Sequence, residues 1–320
     1  MYRVKKTSNC SVLELSILVD NFIDSVGTNH GKIGDSPMKT CYHEKKSLFS
    51  EVAIMKISFS TLGCPGWSWE DMLSTAKDIG FDGVEVRGIG NELYVPKVKH
   101  FSNDNIELTK KKLSKIGLEI PCLTSACFLF DKENIDKHIK EGIDYINLAE
   151  KLGTPYIRVL GDAQPQPSDI DIDFVVKNLK NLAAAAKEKG VKLLVETNGV
   201  FADSKVMKSL LDKVDSDSVG VLWDIHHPVR FFNESLEYTY GNLKEHICFV
   251  HIKDSIMMDG TVKYKMTGYG DIPVKQAVEL LNQNGYNGYV SLEWVKRWCL
   301  DLEEPGIVFA HFAGYMKSII

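Results

Sequence analysis

Four side chains of the types that bind metal ions stand at the ends of short apolar runs in the second half of the chain. The runs VKLLVE, GVLWD, FVH and YVSLE end in Glu196, Asp224, His251 and Glu293. Successive candidates are 28, 27 and 42 residues apart, roughly the length of one strand and one helix. If the runs are parallel strands of one barrel, their carboxyl ends meet at one mouth, where the four side chains converge.

The alternation of residues along each run supports this convergence. Residues two apart in a strand share a face, so Leu194 and Leu222 point to the same side as Glu196 and Asp224. Three converging carboxylates repel one another, and their burial is costly unless a cation neutralises them. A set of three carboxylates and one imidazole is rich in oxygen. It favours Mn²⁺, with Mg²⁺, Co²⁺ or Zn²⁺ as alternatives.

Two basic side chains close to these residues are candidates for binding a substrate. His227 lies three residues after Asp224 in WDIHHP, where its ring could reach a substrate oxygen or bond to the loop backbone. We expect the neighbouring His226 to be structural. Lys253 shares the inward parity of His251, so it could bind an anionic or carbonyl oxygen or form a salt bridge at the rim.

Charged and aromatic residues on earlier runs extend the set of candidates. Glu85 and Arg87 on the second run and Arg158 on the fourth have inward parity. They could form an internal ion-pair network, and we keep Arg158 as a candidate substrate ligand. Trp67, in GCPGWSW after the first run, could stack on the face of a sugar or serve in packing.

From Met55 onward, runs of strand length alternate with stretches of helix length. The strand-like runs are residues 56–61, 83–87, 119–124, 156–160, 192–196, 220–224, 248–252 and 289–293. The helical patterns are residues 69–79, 132–152, 173–189, 204–214, 234–245, 274–284 and 307–320. Many helical patterns are followed by a glycine suited to a left-handed helix end, namely Gly80, Gly117, Gly153, Gly190 and Gly285. This alternation predicts an α/β fold, a (β/α)₈ TIM barrel.

Local signals refine this prediction. The main alternative is a doubly wound open sheet, which is weakened because no G-x-G-x-x-G motif follows the first run. Ser68 with Asp71 three residues later predicts a capping box at the start of the first helix. The turn GYGDIP predicts a helix whose first residue is Pro273.

The first 54 residues differ from the rest of the chain. An amphipathic stretch, about residues 12–26, is followed by the polar run GTNHGKIGDSPMKTCYHEKKS. We interpret residues 1–54 as an N-terminal extension outside the catalytic domain of residues 55–320, with Met55 as the expected native start. Deleting the extension tests this interpretation, since loss of both solubility and metal binding would contradict it.

The overall composition excludes several functional classes. The chain has 320 residues, 44% of them hydrophobic and 25% charged, which are ordinary globular values. A net charge of −5 without a basic stripe argues against a nucleic-acid partner. No apolar run reaches the length of about 18 residues that a membrane-spanning helix needs. Seven cysteines without a C-x-x-C pair, and no evident secretory signal, predict a reduced cytoplasmic protein.

Several pieces of the sequence resemble the xylose-isomerase-like (β/α)₈ superfamily of sugar isomerases and epimerases. The pieces are SFSTLGCPGWSWEDMLSTAKDIGFDGVEVRG, LLVETN, WDIHH, FVHIKDS, GYGDIP and SLEW. The superfamily includes D-tagatose 3-epimerase-like enzymes, hydroxypyruvate isomerases and inosose dehydratases. The resemblance implies that Glu196, Asp224, His251 and Glu293 bind a metal, that the two glutamates also form the acid–base pair, and that His227 contacts the substrate.

The residues and the resemblance together predict a metal-dependent sugar isomerase or epimerase. It would remove a proton beside a carbonyl and pass through an enediolate. The alternative is a lyase on an oxidised sugar, like the inosose dehydratases or the C-glycoside deglycosidases, which would imply a small β-rich partner subunit. A homo-oligomer is the other expected assembly. An endonuclease IV-like nuclease fits less well because few histidines fall at strand ends, and a non-catalytic sugar-binding barrel because the ligand set is intact.

Overall fold

A computed structural model describes residues 55–320, so the predicted N-terminal extension lies outside the described residues. The barrel strands are β1 (Lys56–Ser60), β2 (Gly83–Glu85), β3 (Cys122–Phe128), β4 (Tyr156–Leu160), β5 (Lys192–Glu196), β6 (Val219–Asp224), β7 (Ile247–Ile252) and β10 (Tyr289–Leu292), and a separate hairpin consists of β8 (Asp254–Met258) and β9 (Thr261–Lys265). The α-helices are α1 (Trp69–Ile79), α2 (Ile106–Ile116), α3 (Ile135–Leu152), α4 (Ile172–Glu188), α5 (Ser204–Val214), α6 (His226–Phe232), α7 (Leu236–Leu243), α8 (Val274–Gln283) and α9 (Pro305–Lys317). Helices therefore separate the successive barrel strands.

Hydrogen bonds between neighbouring strands form the barrel. The eight strands are parallel in the order β2-β1-β10-β7-β6-β5-β4-β3. The ring closes between its two ends, where the Val84 N–H donates to Glu119 O at 2.9 Å and the Thr124 N–H donates to Val86 O at 2.9 Å. The predicted (β/α)₈ barrel is confirmed, and the carboxyl ends of its strands share one mouth.

The helices bury one face against the outside of the barrel, and their ends follow local signals. The predicted capping box at α1 is present, with Ser68 Oγ accepting from the Asp71 N–H at 3.1 Å. Gly80 then ends α1 with a φ of 83°, a conformation that strains residues with a side chain. None of the described helices is long and apolar enough to cross a membrane.

The interior of the barrel contains a small apolar cluster that is separate from the main core between strands and helices. Its buried members are Cys122, Leu194, Leu222, Phe249 and Tyr289. We call this cluster the apolar layer. It fills the barrel below the mouth, as expected for a barrel whose interior is packed and not a pore.

Parts of the observed fold differ from the sequence prediction. The third strand, predicted over residues 119–124, covers Cys122–Phe128, because Pro121 lacks an N–H and cannot continue a strand ladder. Pro273 is the residue before α8 and not its first residue. Helices α2 and α6 and the β8–β9 hairpin were not predicted; α2 buries only three of its 11 residues, so its apolar pattern is weak.

Candidate metal centre and active site

The four candidate ligands converge at the barrel mouth. Glu196 and Asp224 are the last residues of β5 and β6, His251 is next to last in β7, and Glu293 directly follows β10. One ligand atom from each lies within 4.8 Å of the others. All four are buried, with at most 6% of the residue surface exposed. This spacing brings three carboxylates and an imidazole around one point.

The imidazole of His251 is oriented by a carboxylate on the opposite side of the barrel. His251 Nδ1 lies 3.3 Å from Glu196 Oε1 and 3.7 Å from Glu293 Oε1, whereas Nε2 lies 3.0 and 3.1 Å from the two Glu85 oxygens. Glu85 also accepts hydrogen bonds from Thr124 Oγ1 at 2.5 Å and Ser291 Oγ at 2.6 Å. An Nε2–H bond to Glu85 leaves Nδ1 as the nitrogen that can bind a metal.

An ammonium group lies inside the same cluster. Lys253 Nζ is 2.7 Å from Asp224 Oδ2, contacts Glu293 Oε2, and lies 3.2 Å from His227 Nε2. Lys253 is only 4% exposed. Removing it would leave two buried carboxylates without this counter-ion, so Lys253 is part of the site and not a rim salt bridge.

Burial and charge shift the pKa values of the cluster in opposite directions. Burial raises the pKa of Glu196 and Glu293, but nearby cations outweigh burial, above all Arg158 for Glu196 and Lys253 for Glu293. The net pKa of both carboxyls is lowered. For Lys253, burial lowers the pKa, whereas Asp224 and Glu293 raise it, and the net pKa lies well above its ordinary value. Both glutamates are therefore ionised at neutral pH.

The cluster fits a divalent cation by its chemistry and by one unsatisfied atom. Asp224 Oδ1 accepts from the His226 N–H at 2.8 Å, while the buried Oδ2 has no hydrogen-bond partner. The 2.7 Å approach of Lys253 Nζ is an ion pair outside hydrogen-bonding geometry. The oxygen thus keeps a lone pair free toward the other ligands, which suits a metal.

The buried charged groups that contact one another at the barrel mouth also lack two positive charges when His251 is neutral. Two cations contact the carboxylates. Arg158 Nε lies 3.4 Å from Glu196 Oε2, and Lys253 contacts Asp224 and Glu293. The linked carboxylates number four: Glu85, Glu196, Asp224 and Glu293. Burial lowers the pKa of His251, but the surrounding carboxylates, above all Glu85 and Glu293, raise it well above its ordinary value, so a bound metal would have to displace a proton from this ring. With His251 neutral, as a ligand must be, a divalent ion would balance this buried group.

The two consecutive histidines have different surroundings. His227 Nδ1 lies 2.9 Å from Thr197 O, and since a carbonyl can only accept, Nδ1 carries the proton and Nε2 is left as an acceptor at the cluster. Burial lowers the pKa of His227, which favours this neutral ring. His226 Nε2 lies 2.8 Å from Ser255 Oγ, away from the cavity, in agreement with a structural role.

A cavity of about 410 Å³ opens above the cluster. It is lined by the candidate residues Arg158, Glu196, His227, Lys253 and Glu293. Trp67 is not among its lining residues, and its ring packs edge-on against Phe309, with ring centroids 5.5 Å apart. This contact fits the packing alternative, and stacking of Trp67 on a sugar stays a prediction. Other lining residues not singled out in the sequence are Ser125, Phe128, Gln164, Asn198, Tyr264 and Trp298.

Two buried aspartates hold the loops that form the cavity walls, and neither was singled out from the sequence. Asp162 accepts from the N–H groups of Ala163, Ser168 and Val200 at 2.7 to 3.0 Å. Asp254 likewise accepts hydrogen bonds from the N–H groups of Ser255, Gly268, Gly270 and Ile272. The turn GYGDIP is thus anchored to the strand that follows Lys253. The signal for Asp254 in the sequence was its place in HIKDS, directly after the strand that carries His251.

Residues 73–311 match the family model described as "Xylose isomerase-like TIM barrel". The chain belongs to this family. A similar curated protein is the inosose dehydratase of Clostridium perfringens, 26% identical over 262 residues, which cover 71% of this chain and 82% of the relative. Another is the fructoselysine 3-epimerase of Escherichia coli O157:H7, 22% identical over 263 residues, with 78% and 93% covered. This member of the family thus has enzymes as relatives.

Solved structures with the same barrel include an epimerase and a magnesium-bound protein. One is 3-keto-D-glucoside 4-epimerase from E. coli, with a TM-score of 0.66 and 19% identity over 82% of this chain and 99% of the other. Another is a Mycobacterium smegmatis member of the family in complex with magnesium, with a TM-score of 0.65 and 17% identity over 84% and 97%. At these identities the likeness establishes the shared fold.

Proposed function

We propose that the protein is a divalent-metal-dependent sugar isomerase or epimerase that moves a proton at the carbon beside a carbonyl. One observation carries this proposal. Two buried glutamates, Glu196 and Glu293, face the same point at the floor of a cavity, with their ligand oxygens within 4.8 Å of each other. Two carboxylates at one reacting centre are the arrangement that removes a proton and returns it.

The ligand set would hold Mn²⁺, with Mg²⁺ or Co²⁺ as alternatives, through Glu196, Asp224, His251 and Glu293. Such an ion would act as a Lewis acid that stabilises negative charge on the carbonyl oxygen of the sugar. Asp224 and His251 carry no proton-transfer role in this proposal. Glu85 fixes the His251 ring, so that Nδ1 faces the ligands.

The glutamates would transfer the protons. Each has a lowered pKa and is ionised, so either carboxylate can take the proton from the carbon beside the carbonyl. Removal of the proton leaves an enediolate. The carboxylate that takes this proton becomes a carboxylic acid. The substrate regains a C–H bond from the other glutamate, which first takes up a proton from water, and the first glutamate then releases its proton to water. One proton is taken up and one is released, so the enzyme ends the cycle unchanged, and Lys253 stays protonated beside Glu293.

Polar residues around the glutamates would orient the sugar. His227 Nε2 can accept a hydrogen bond from a substrate hydroxyl, since Nδ1–H is committed to Thr197 O. Arg158 can donate to a substrate oxygen, because its Nε has no hydrogen-bond partner despite lying near Glu196. Holding the hydroxyls in place fixes the reacting carbon near the carboxylates.

A second candidate is a lyase that eliminates a group from an oxidised sugar. The inosose dehydratase relative favours it, and so does Lys253, whose ammonium beside Glu293 could protonate a leaving hydroxyl. The first step is the same removal of a proton beside a carbonyl. The two reactions part only when the enediolate either regains a proton or expels a neighbouring group.

Solvent exchange tests the shared first step without knowledge of the product. The full chain with Mn²⁺ would be incubated in D₂O with ketoses, inososes and 3-oxo glycosides, and followed by NMR. We expect deuterium beside the carbonyl of at least one substrate, and the products tell epimerisation from elimination. Absence of exchange in all three classes, with metal binding verified separately, would refute the proposal. Glu279→Gln, an exposed acid on α8, is the matched control for Glu293→Gln.

A further inference from the structure

Arg87 is a partly buried arginine without a counter-ion. Its side chain follows β2 and lines the cavity above the metal-ligand cluster. Nη1 donates to Leu93 O at 3.4 Å, and Arg87 takes part in none of the ion pairs between residues 55–320. Burial and the neighbouring Arg158 lower the pKa of Arg87. A guanidinium has five N–H donors, so most of its capacity to bind an anion is unused.

A second cavity, of about 490 Å³, adjoins this arginine on the other side. Among the described residues, Arg87 is the one side chain that the linings of the two cavities share. The second cavity lies between the segment after β2, which contributes Tyr94 and Lys97, and the first turns of α3, which contribute Lys137 and Lys140. None of the four candidate metal ligands lines this second cavity.

The lining of the second cavity is positively charged. Lys97 has no carboxylate partner among the described residues, and its Nζ lies 5.7 Å from the centroid of the Tyr94 ring. Lys137 also takes part in none of the described ion pairs, whereas Lys140 is paired with Asp144 at 2.5 Å. The one acid in the lining, Glu141, already accepts the Ala126 N–H at 2.7 Å. Three unpaired cations thus outnumber one carboxylate.

We propose that this second cavity is a subsite for an oxoanion, a carboxylate or a phosphate, carried by the substrate of the same site. The sugar part would lie above the ligand cluster, and this placement rests on the proposed function. Arg87 at the junction would bind the anion through paired N–H groups, and Lys97 and Lys137 would add point charges. The substrate class is then an acidic sugar or a sugar with an acidic substituent.

Binding of matched probes tests the subsite. The full chain with Mn²⁺ would be titrated by calorimetry with D-fructose, D-fructose 6-phosphate and D-fructuronate, which differ chiefly in the anionic group. We expect at least one anionic ketose to bind about 10-fold more tightly than D-fructose, which corresponds to about 1.4 kcal/mol. The tighter of the two identifies the anion as phosphate or carboxylate. Equal affinity for all three probes would overturn the proposal.

Paired variants locate the effect. The double variant Lys97→Ala, Lys137→Ala should reduce the anion preference to less than about 3-fold and leave D-fructose binding unchanged. Lys177→Ala, Lys180→Ala on α4 is the control, since both lysines are exposed and outside the cavity. If the control lost the preference equally, the effect would be general surface charge and the subsite would be refuted.

The outcome is separable from that of the proposed function. Calorimetry needs no turnover, so an anion preference that depends on Lys97 and Lys137 supports the subsite even if no probe exchanges deuterium. Conversely, exchange with neutral sugars and no anion preference would refute the subsite and leave the proposed function standing. Glu293→Gln should abolish exchange while retaining the preference, because Glu293 does not line the second cavity.

Discussion

Two layers of side chains inside the barrel lie on the same strands but have opposite chemistry. The apolar layer includes Leu194, Leu222 and Phe249, all fully buried. Two residues farther along the same strands lie Glu196, Asp224 and His251, which are buried almost as completely. Because residues two apart in a strand share a face, both sets point inward. Only their position along the strand distinguishes the apolar layer from the charged residues at the mouth.

The comparison shows that the two layers contribute differently to the free energy of folding. The apolar layer gains free energy from burial and closes the barrel to water from below. The charged layer costs free energy of folding, because its carboxylates repel and are taken out of water. In the proposed function, a bound cation would offset part of that cost and would stabilise negative charge at this buried site. Substitutions in the two layers should therefore have different signatures.

The largest effect is expected from Glu293→Gln in the charged layer. The amide keeps the size of the side chain but cannot accept the proton, so turnover should fall about 10²- to 10⁴-fold. The variant should still fold, because Asp224 remains as a carboxylate partner of the buried Lys253 ammonium, and thermal unfolding checks this. The measurement is the rate of deuterium exchange against that of Glu279→Gln. Near-normal exchange in Glu293→Gln would remove this residue from the acid–base pair.

Phe249→Ala in the apolar layer should act on stability. The ring is fully buried and stacks on Tyr289 with centroids 6.3 Å apart, so its loss leaves a cavity that costs about 3–5 kcal/mol of unfolding free energy. Urea unfolding measures this loss. The folded fraction should still bind Mn²⁺. A variant that is stable but does not bind metal would contradict the separation of the two layers.

Glu85→Gln tests the link that holds the charged layer in place. The amide keeps one neutral acceptor oxygen for the His251 Nε2–H but loses the negative charge and the second acceptor oxygen, so Mn²⁺ affinity should fall about 10- to 100-fold. Competition with a fluorescent chelator measures the affinity, which a purely structural role would not change. The control is Glu119→Gln, since Glu119 pairs with Lys56 and Tyr289 away from the cluster. An unchanged affinity in Glu85→Gln would show that Glu85 does not orient the ligand.

The smallest effect is expected outside both layers. Ser68→Ala removes the side chain that caps α1 and should cost about 0.5–2 kcal/mol of unfolding free energy. Exchange rate and metal affinity should match those of the unmodified chain, since α1 contributes no residue to the cavity. Loss of activity in a folded Ser68→Ala variant would mean that the outer helices, too, control the mouth of the barrel.

The barrel could be predicted because its signals are local. A short continuous apolar run that ends in Glu196 marks β5, and the glycine and serine signals around α1 need only the residues beside them. Pro121 interrupted the third predicted strand. The hairpin β8–β9 did have a local signal, Asp259-Gly260 with positive φ at both residues, which the sequence prediction missed.

The candidate site could be predicted in its members but not in its contacts. The sequence singled out Lys253 and Glu85, yet Lys253 was equally compatible with a rim salt bridge, and Glu85 with a general ion-pair network. The structure places one beside Asp224 and the other behind His251. For Trp67 the structure adds a packing contact with Phe309, which the sequence did not indicate, and its stacking on a sugar stays a prediction.

The sequence by itself determined the type and inward parity of the ligands, because both follow from residue identity and the two-residue period of a strand. Only the tertiary structure decided which atoms meet. Glu85 and His251 are 166 residues apart, and Glu85 and Ser291 are 206 apart. Their contacts exist only when the ring of strands has closed. The orientation of His251, the place of Lys253 and the second cavity at Arg87 all depend on that closure.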